Sequence, residues 1–590
     1  MSFMNHRSIK TVASLLIVAV PLIGVARPVC GGDNVSFWIA ETGGLFHDPR
    51  NWDGPVPDET VVAIFDLAGN YEVAFGALAA SDRVLLRNGD VTFLLKNYTY
   101  SVGNPLFSTP SLAIGETVAA SAELNIQGGT LQTRFVNIGH AASSFGSLLV
   151  GPGAALVSDL SVHVGASGNG WLEITNGGMV SNLVANIGLE ESAFGLATIS
   201  GADALWSTQA ALTVGEQGIG ELFILNGAAV TSQAGIIGGQ FGSIGNVTVI
   251  GPGSGWFVDG SLDVGQNGFG SLLISGGGEV STAGFATIGT FIEPDPKYPQ
   301  LGGEGEVAVT GTGAVWEIGG DLHVGLFSTG LLEIAEGGAV FSNNGFVNTL
   351  GSSIHPATVS VTGDGSIWWN AGDLLVRDLL EVRDGGLVAA ESLDIAPYGT
   401  LQGDATVQGL ILNRGAIRPD GPPGDPYDPS IATMGIIGDY EQDPSGTLFI
   451  EVDYDILNFN YFADALEITG TATLSGTLEV PDVSVEPSSA VYLEIITAES
   501  LAGEFDTLIA EELCCGREWM LIYSDTTVRL STEPLPDGDL DGDGFVSSVD
   551  LLILLSNWGR CDDCDACVAD IDNDCVVGSA DLLILLNNWS

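Results

Sequence analysis

Basic residues are scarce in this chain. Sixteen Lys plus Arg stand against 73 Asp plus Glu in 590 residues, giving a net charge of −57. Phosphate backbones are gripped by clustered cations, so nucleic acid is not an expected partner, and an anionic membrane surface is equally unsuited. Such a charge suits a calcium-containing medium, where divalent ions screen and bridge carboxylates.

Long apolar runs are missing beyond the N-terminus. The one such run, Thr11 to Val25, follows His6, Arg7 and Lys10 and ends at the small residues Gly24-Val25-Ala26. That is the pattern of a secretory signal, residues 1–26. Pro21 and Gly24 interrupt it, and it is short for a membrane span. An exported chain with no transmembrane span in its mature part is therefore expected, either secreted or at the cell surface.

Cysteine is also sparse, with seven in all. Cys30 stands near the mature start as a possible partner for Cys514 or Cys515, which are adjacent. Cys561, Cys564, Cys567 and Cys575 cluster near the C-terminus. Their spacing could bind Zn2+. In an exported chain, disulfides stapling a small module are the favoured alternative. The sequence does not choose among the possible pairings. Also missing are the Gly-x-Ser-x-Gly elbow, the zinc-protease His motif and a phosphate-binding loop with Lys.

What the chain has in excess is glycine, 82 residues, about twice the usual share. It comes with self-similarity. One phrase starts at Leu112, Val162, Leu212, Leu262, Leu322 and, degraded, Leu374, at spacings of 50, 50, 50, 60 and 52. The long spacing absorbs an insertion at 294–299, Pro-Asp-Pro-Lys-Tyr-Pro, which reads as a surface loop. Each unit splits again. Ile187-Gly188 … Trp206 and Ile237-Gly238 … Trp256 are second halves, so the true period is half a unit, one turn of a solenoid. Alternation puts aliphatics in a narrow core, and Gly supplies corners.

The expected fold is therefore mainly β: a parallel β-helix or β-solenoid, about a dozen coils at ~4.8 Å and so on the order of 60 Å long. An antiparallel barrel or sandwich is the runner-up. Residues 27–110 form the N-terminal cap and first coils. Residues 111–400 carry the repeats, 401–533 close the solenoid, and 534–590 are a separate module. Trp206, Trp256, Trp316 and Trp368 recur once per unit, and burial is favoured over an exposed sugar-binding platform.

The body offers little chemistry. Glu173 and Glu333 share a strand position with Phe223 and Leu273, so no acidic pair is stacked for glycoside hydrolysis. His163 and His323 share a position with Thr213 and Asp263, which reads as outward-facing and freely varying.

These repeats resemble the passengers of autotransporter-type surface proteins. Phe37-Trp38 … Asn51-Trp52 … Val56-Pro57 looks like their opening. Asn413 to Pro419, Gly438 to Gln442 and Gly476 to Val480 look like their closing coils. No membrane-barrel translocator follows, so self-export is not implied.

The last segment carries a twelve-residue acidic loop twice, from Asp539 to Asp550 and from Asp570 to Asp581, offset by 31 (570 − 539). Oxygen ligands at loop positions 1, 3, 5, 7, 9 and 12 are what Ca2+ requires. The first loop offers Asp539, Asp541, Asp543, the Phe545 carbonyl, Ser547 and Asp550. The second offers Asp570, Asp572, Asp574, the Val576 carbonyl and Asp581. A Leu-rich helix follows each loop, and Pro534 and Pro536 leave no room for an entering helix.

This tandem resembles the type I dockerin, a small α-helical, EF-hand-like module. The resemblance implies two Ca2+ ions and a cohesin-like partner, contacted through loop positions 10 and 11: Ser548, Val549, Ser579 and Ala580. The second site is expected to be weaker. Cys575 replaces the glycine that permits the sharp turn at position 6, and Gly578 brings no ligand to position 9.

The function expected is a secreted, non-catalytic β-solenoid docked by its calcium-binding tail. The alternative is a polysaccharide-degrading enzyme or carbohydrate-binding adhesin delivered by the same tail.

Overall fold

The computed structural model describes residues 34–103, 109–290, 303–349, 355–419, 431–455, 460–481, 487, 491–510, 513, 518–532, 536–541, 545–561 and 567–589. The leader, Cys30, the 294–299 insertion, Cys514, Cys515, Asp543 and Cys564 lie outside the described residues.

Alternation builds each strand as expected. In Ile219–Leu225, Gly220, Leu222 and Ile224 are buried, while Ile219, Glu221, Phe223 and Leu225 face out. This strand pairs in parallel with Phe194–Ser200 before it and Ile244–Ile250 after it. Strands Phe194–Ser200, Leu205–Thr208 and Ala211–Val214 are three faces of one coil. Among the described residues, 51 strands join one continuous ladder. The chain is a parallel β-solenoid, and the parallel register excludes the barrel and the sandwich.

The register shows why the sequence repeats every two coils. On one face the buried column reads Val180, Trp206, Val230, Trp256, Val280, Trp316, Val340, Trp368, Val388. On the next face it reads Val162, Ala185, Leu212, Gly235, Leu262, Ala286, Leu322, Gly345, Leu374. Bulk alternates along both columns. The indole of one coil reaches over the small residue of the coil before it. A Cβ placed on Gly235 would lie 2.8 Å from Trp256 Cζ2 and 2.6 Å from Leu262 Cδ1. Close packing of this kind leaves no room for the same residue in every coil.

The four tryptophans are fully buried, so they form no sugar platform. Each Nε1–H donates to the coil before it: Trp206 to Asn182 Oδ1 at 2.7 Å, Trp256 to Ser232 Oγ at 3.1 Å, Trp316 to Thr282 Oγ1 at 3.2 Å and Trp368 to Ser342 Oγ at 3.3 Å. Buried indole donors need such partners.

Corners depend on glycine where the backbones crowd. Gly215 has φ +73°, and a Cβ there would sit 2.4 Å from the carbonyl oxygen of Ile244. Both ends of the ladder are closed. At the start, Trp38, Phe46, Trp52, Phe65, Phe75 and Tyr100 fill the first coils, with Trp38 edge-on to Trp52 at 5.1 Å. At the finish, Tyr492–Thr497 pairs antiparallel with Thr527–Ser531, which pairs antiparallel with Met520–Tyr523. The change of direction ends parallel growth at an edge that would otherwise recruit strands.

Candidate metal centre

Among the described residues, the α-helices are confined to the C-terminal segment: α1 (Ser548–Ser556) and α2 (Ser579–Asn587). Each starts where an acidic loop ends. Ser547 caps α1 by accepting from the Val549 N–H at 3.2 Å, and Asp550 answers by accepting from the Ser547 N–H at 2.7 Å. This reciprocal pair satisfies two orphan donors. At α2, Gly578 has no side chain to cap with, and Asp581 accepts from its N–H at 2.6 Å.

Asp550 and Asp581 then organise their loops identically. Asp550 Oδ1 accepts from Leu540 N–H at 2.7 Å and Asp541 N–H at 3.1 Å. Asp581 Oδ1 accepts from Ile571 N–H at 2.7 Å and Asp572 N–H at 3.1 Å. Both carboxylates are buried. Burial alone would push them up. The backbone donors win: those of Ser547, Asp541 and Leu540 hold Asp550 below the usual carboxylate range, and those of Gly578, Asp572 and Ile571 do the same for Asp581. Charge-assisted bonds of this kind favour the ionised form.

Two acidic trios result. Asp539, Asp541 and Asp550 bring ligand oxygens within 4.8 Å of one another, and so do Asp570, Asp572 and Asp574. Desolvation and then the charges of Asp574, Asp581 and Asp570 push the Asp572 carboxyl up. Clustered, hard, anionic oxygens are the donor set Ca2+ takes. In the second loop, Asp581 stands outside the trio and serves as the frame. Ser547 is engaged as the cap of α1.

The two halves meet over Val546, Leu554, Ala569, Val577 and Leu585. Gly559–Arg560 pairs antiparallel with Val576–Val577, and Val546 bridges to Trp589. Ser548, Val549, Ser579 and Ala580 are exposed at the two helix starts. Sequence reasoning missed what lies beside them. Leu552, Leu555 and Trp558 on one half, and Leu583, Leu586 and Trp589 on the other, are also exposed. The signal was present in the shared 31-residue offset of these positions.

The described cysteines of this module are oxidised. Cys561 is joined to Cys567, which removes the thiolate pair a Zn2+ site would need. Cys575 is also in a disulfide, with its partner outside the described residues.

The described body also holds an acidic group on its first coils. Asn70, Glu72, Asp90 and Glu123 line an open depression of about 480 Å³ on the first coils. Asp90 and Glu123 are register partners on neighbouring strands. Burial, then the charge of Asp90, pushes the Glu123 carboxyl up. The residues share no motif, and nothing in their spacing signals the pairing.

The histidine column faces away from the core but is not a free surface. His163 sits edge-on to Phe135 at 5.1 Å, and His323 stacks on Phe346 at 4.6 Å. Burial pushes His163 down to about 4. The folded state therefore resists protonation that the unfolded chain accepts near 6.5. Stability is full above about pH 6.5 and falls as pH drops toward 4, by about 3 kcal/mol at most. Asn137 and Asn186 occupy the adjoining register positions, so His163→Asn should remove this component. Urea unfolding of both proteins at pH 7 and pH 4.5 checks it, and parallel pH profiles would count against it.

No family model matches the chain, and no curated protein matches it. Among solved structures, it is similar to a crystal structure of a TibC-catalysed hyper-glycosylated TibA fragment. The identity is 11%, covering 74% of this chain and 100% of that one, at a TM-score of 0.26.

Proposed function

We propose that this chain is a secreted, non-catalytic structural β-solenoid of the cell surface or extracellular space, anchored by a dockerin-like module that binds two Ca2+ ions and docks to a cohesin-like partner. The duplicated acidic loop carries the proposal. Asp539 and Asp541 in the first loop, and Asp570 and Asp572 in the second, stand at a 31-residue offset, each pair beside the same frame, built by Asp550 in one and Asp581 in the other. A random acidic tail has no reason to repeat that frame.

Bound Ca2+ would supply positive charge among carboxylates that otherwise repel. The chain does the rest: Asp550 and Asp581 fix each loop to its helix, and the helices present Ser548-Val549 and Ser579-Ala580. A site that exists only in the folded state couples ion binding to folding. The solenoid serves as a spacer, with its core filled and its ends closed.

The depression bearing Asp90 and Glu123 favours a second reading, a polysaccharide-acting enzyme or adhesin. Paired carboxylates on one face are what glycoside hydrolysis uses. A reducing-sugar assay with the full chain on a panel of neutral and acidic polysaccharides separates the two. No turnover is expected. Turnover that Glu123→Gln abolishes would replace the structural proposal with the enzymatic one.

A further inference from the structure

Position 6 of a calcium loop turns sharply and needs a left-handed backbone, which glycine adopts freely and other residues rarely. The second loop has Cys575 there, at φ +69°. Composition alone marks this as a defect and the second site as the weaker one. The surroundings of Cys575 indicate otherwise.

Cys575 is held from several sides. Its N–H donates to Asp570 Oδ2 at 2.7 Å, and its carbonyl accepts from the Cys561 N–H at 3.1 Å. Its sulfur is in a disulfide. The next residues, Val576–Val577, are paired to Gly559–Arg560, just before Cys561. The loop is thus sewn to the inter-loop linker, which is itself closed by the Cys561–Cys567 bond. A disulfide thus restrains a residue whose left-handed backbone is unfavourable for its type.

We infer that the second calcium loop is oxidation-dependent: the Cys575 disulfide takes the place of glycine, holding the turn that gathers Asp570, Asp572 and Asp574. This rests on the calcium-binding reading of the module. With the disulfide intact, the turn is set before the ion arrives, and the second site is a working site. Reduction frees the Cys575 side chain, and the backbone can relax out of the left-handed region. The trio then disperses, because the Cys575 N–H no longer points at Asp570.

A dithiol is sufficient for the step. One of its thiolates attacks the disulfide and displaces a cysteine thiolate. Its second thiol then closes onto the first sulfur and releases the other cysteine. Two electrons and two protons pass from the dithiol to the protein, the dithiol becomes a cyclic disulfide, and no carboxylate changes state. Outside the cell the oxidised form is the resting one.

The test is calcium titration by calorimetry on the full chain in physiological salt, in three forms: oxidised, reduced with a dithiol and alkylated, and Cys575→Gly reduced and alkylated in the same way. The oxidised chain should bind two ions. Reduction should weaken one site by about tenfold or more and leave the other unchanged. Cys575→Gly should keep both sites under reduction, because glycine needs no lock. Equal affinity at both sites before and after reduction overturns the inference and leaves the calcium module standing. Loss of a site in reduced Cys575→Gly overturns it as well, by placing the lock in Cys561–Cys567. Absence of calcium binding in every form overturns the module reading itself.

Discussion

A chain carrying Asp539→Ala and Asp541→Ala is expected to lose calcium-dependent folding of residues 536–589. Two of the three carboxylates in the first trio go, while Asp550 keeps its frame contacts with the Leu540 and Asp541 N–H groups. The helix cap therefore survives and the ion site does not. On the proposed function, calcium at a hundredfold excess over its dissociation constant would add about 2.7 kcal/mol per site to the intact chain through linkage. The variant should lose that increment for the first site. Because the halves share the core of Val546, Leu554, Val577 and Leu585, the second half should weaken too. The check is the calcium-induced gain in helical circular dichroism and in melting temperature of the module, with the solenoid signal as internal reference. An unchanged calcium response in the variant would remove these residues from the site.

Trp256→Ala is expected to cost about 3–5 kcal/mol, the range for truncating a large buried aromatic. Trp256 has no exposed surface, sits between Val230 and Val280 and fills the space over Gly235. Its removal also leaves Ser232 Oγ without its indole donor. In a solenoid, each coil contacts its neighbours, so the loss should be local. Hydrogen exchange should quicken in the coils around 230–280 and stay slow near Trp368. The paired change is more discriminating. Gly235→Leu alone overpacks the column against Trp256, while Gly235→Leu with Trp256→Val moves bulk from one column to the other. The double variant should be more stable than the sum of the two single effects by about 1 kcal/mol or more, as coupled neighbours are. Strict additivity would mean that the two columns do not interlock.

Much of the fold was legible because its signals are local. Alternation in Leu222, Phe223 and Ile224 marks inward and outward faces, and the unit spacing marks coils. The reason for a two-coil period was not legible. It lies in Trp256 meeting Gly235 across coils, a contact between positions 21 residues apart that no single strand displays. The acidic loops were legible for the same local reason, since their carboxylates recur at fixed short spacings. The framing role of Asp581 was not: besides its expected place as the last ligand, it accepts from Ile571, Asp572 and Gly578, as Asp550 does from the equivalent residues of the first loop. Cys575 was legible as a non-glycine turn residue and as a disulfide candidate; its left-handed backbone and its N–H bond to Asp570 became visible only in three dimensions. Asp90 and Glu123 escaped notice because register pairing, not spacing, brings them together.

The most direct test of the central claim is capture on the immobilised full chain, from the envelope and secreted fractions of the producing cell. Three conditions suffice: wild type with Ca2+, wild type with chelator, and the Asp539→Ala, Asp541→Ala chain with Ca2+. One protein retained in the first condition and absent from the other two is the predicted result, and its direct binding to residues exposed at Ser548-Val549 or Ser579-Ala580 should then be measurable with purified components. A partner held equally in all three conditions, or none in the first despite a calcium-loaded module, would contradict docking through the calcium-binding tail.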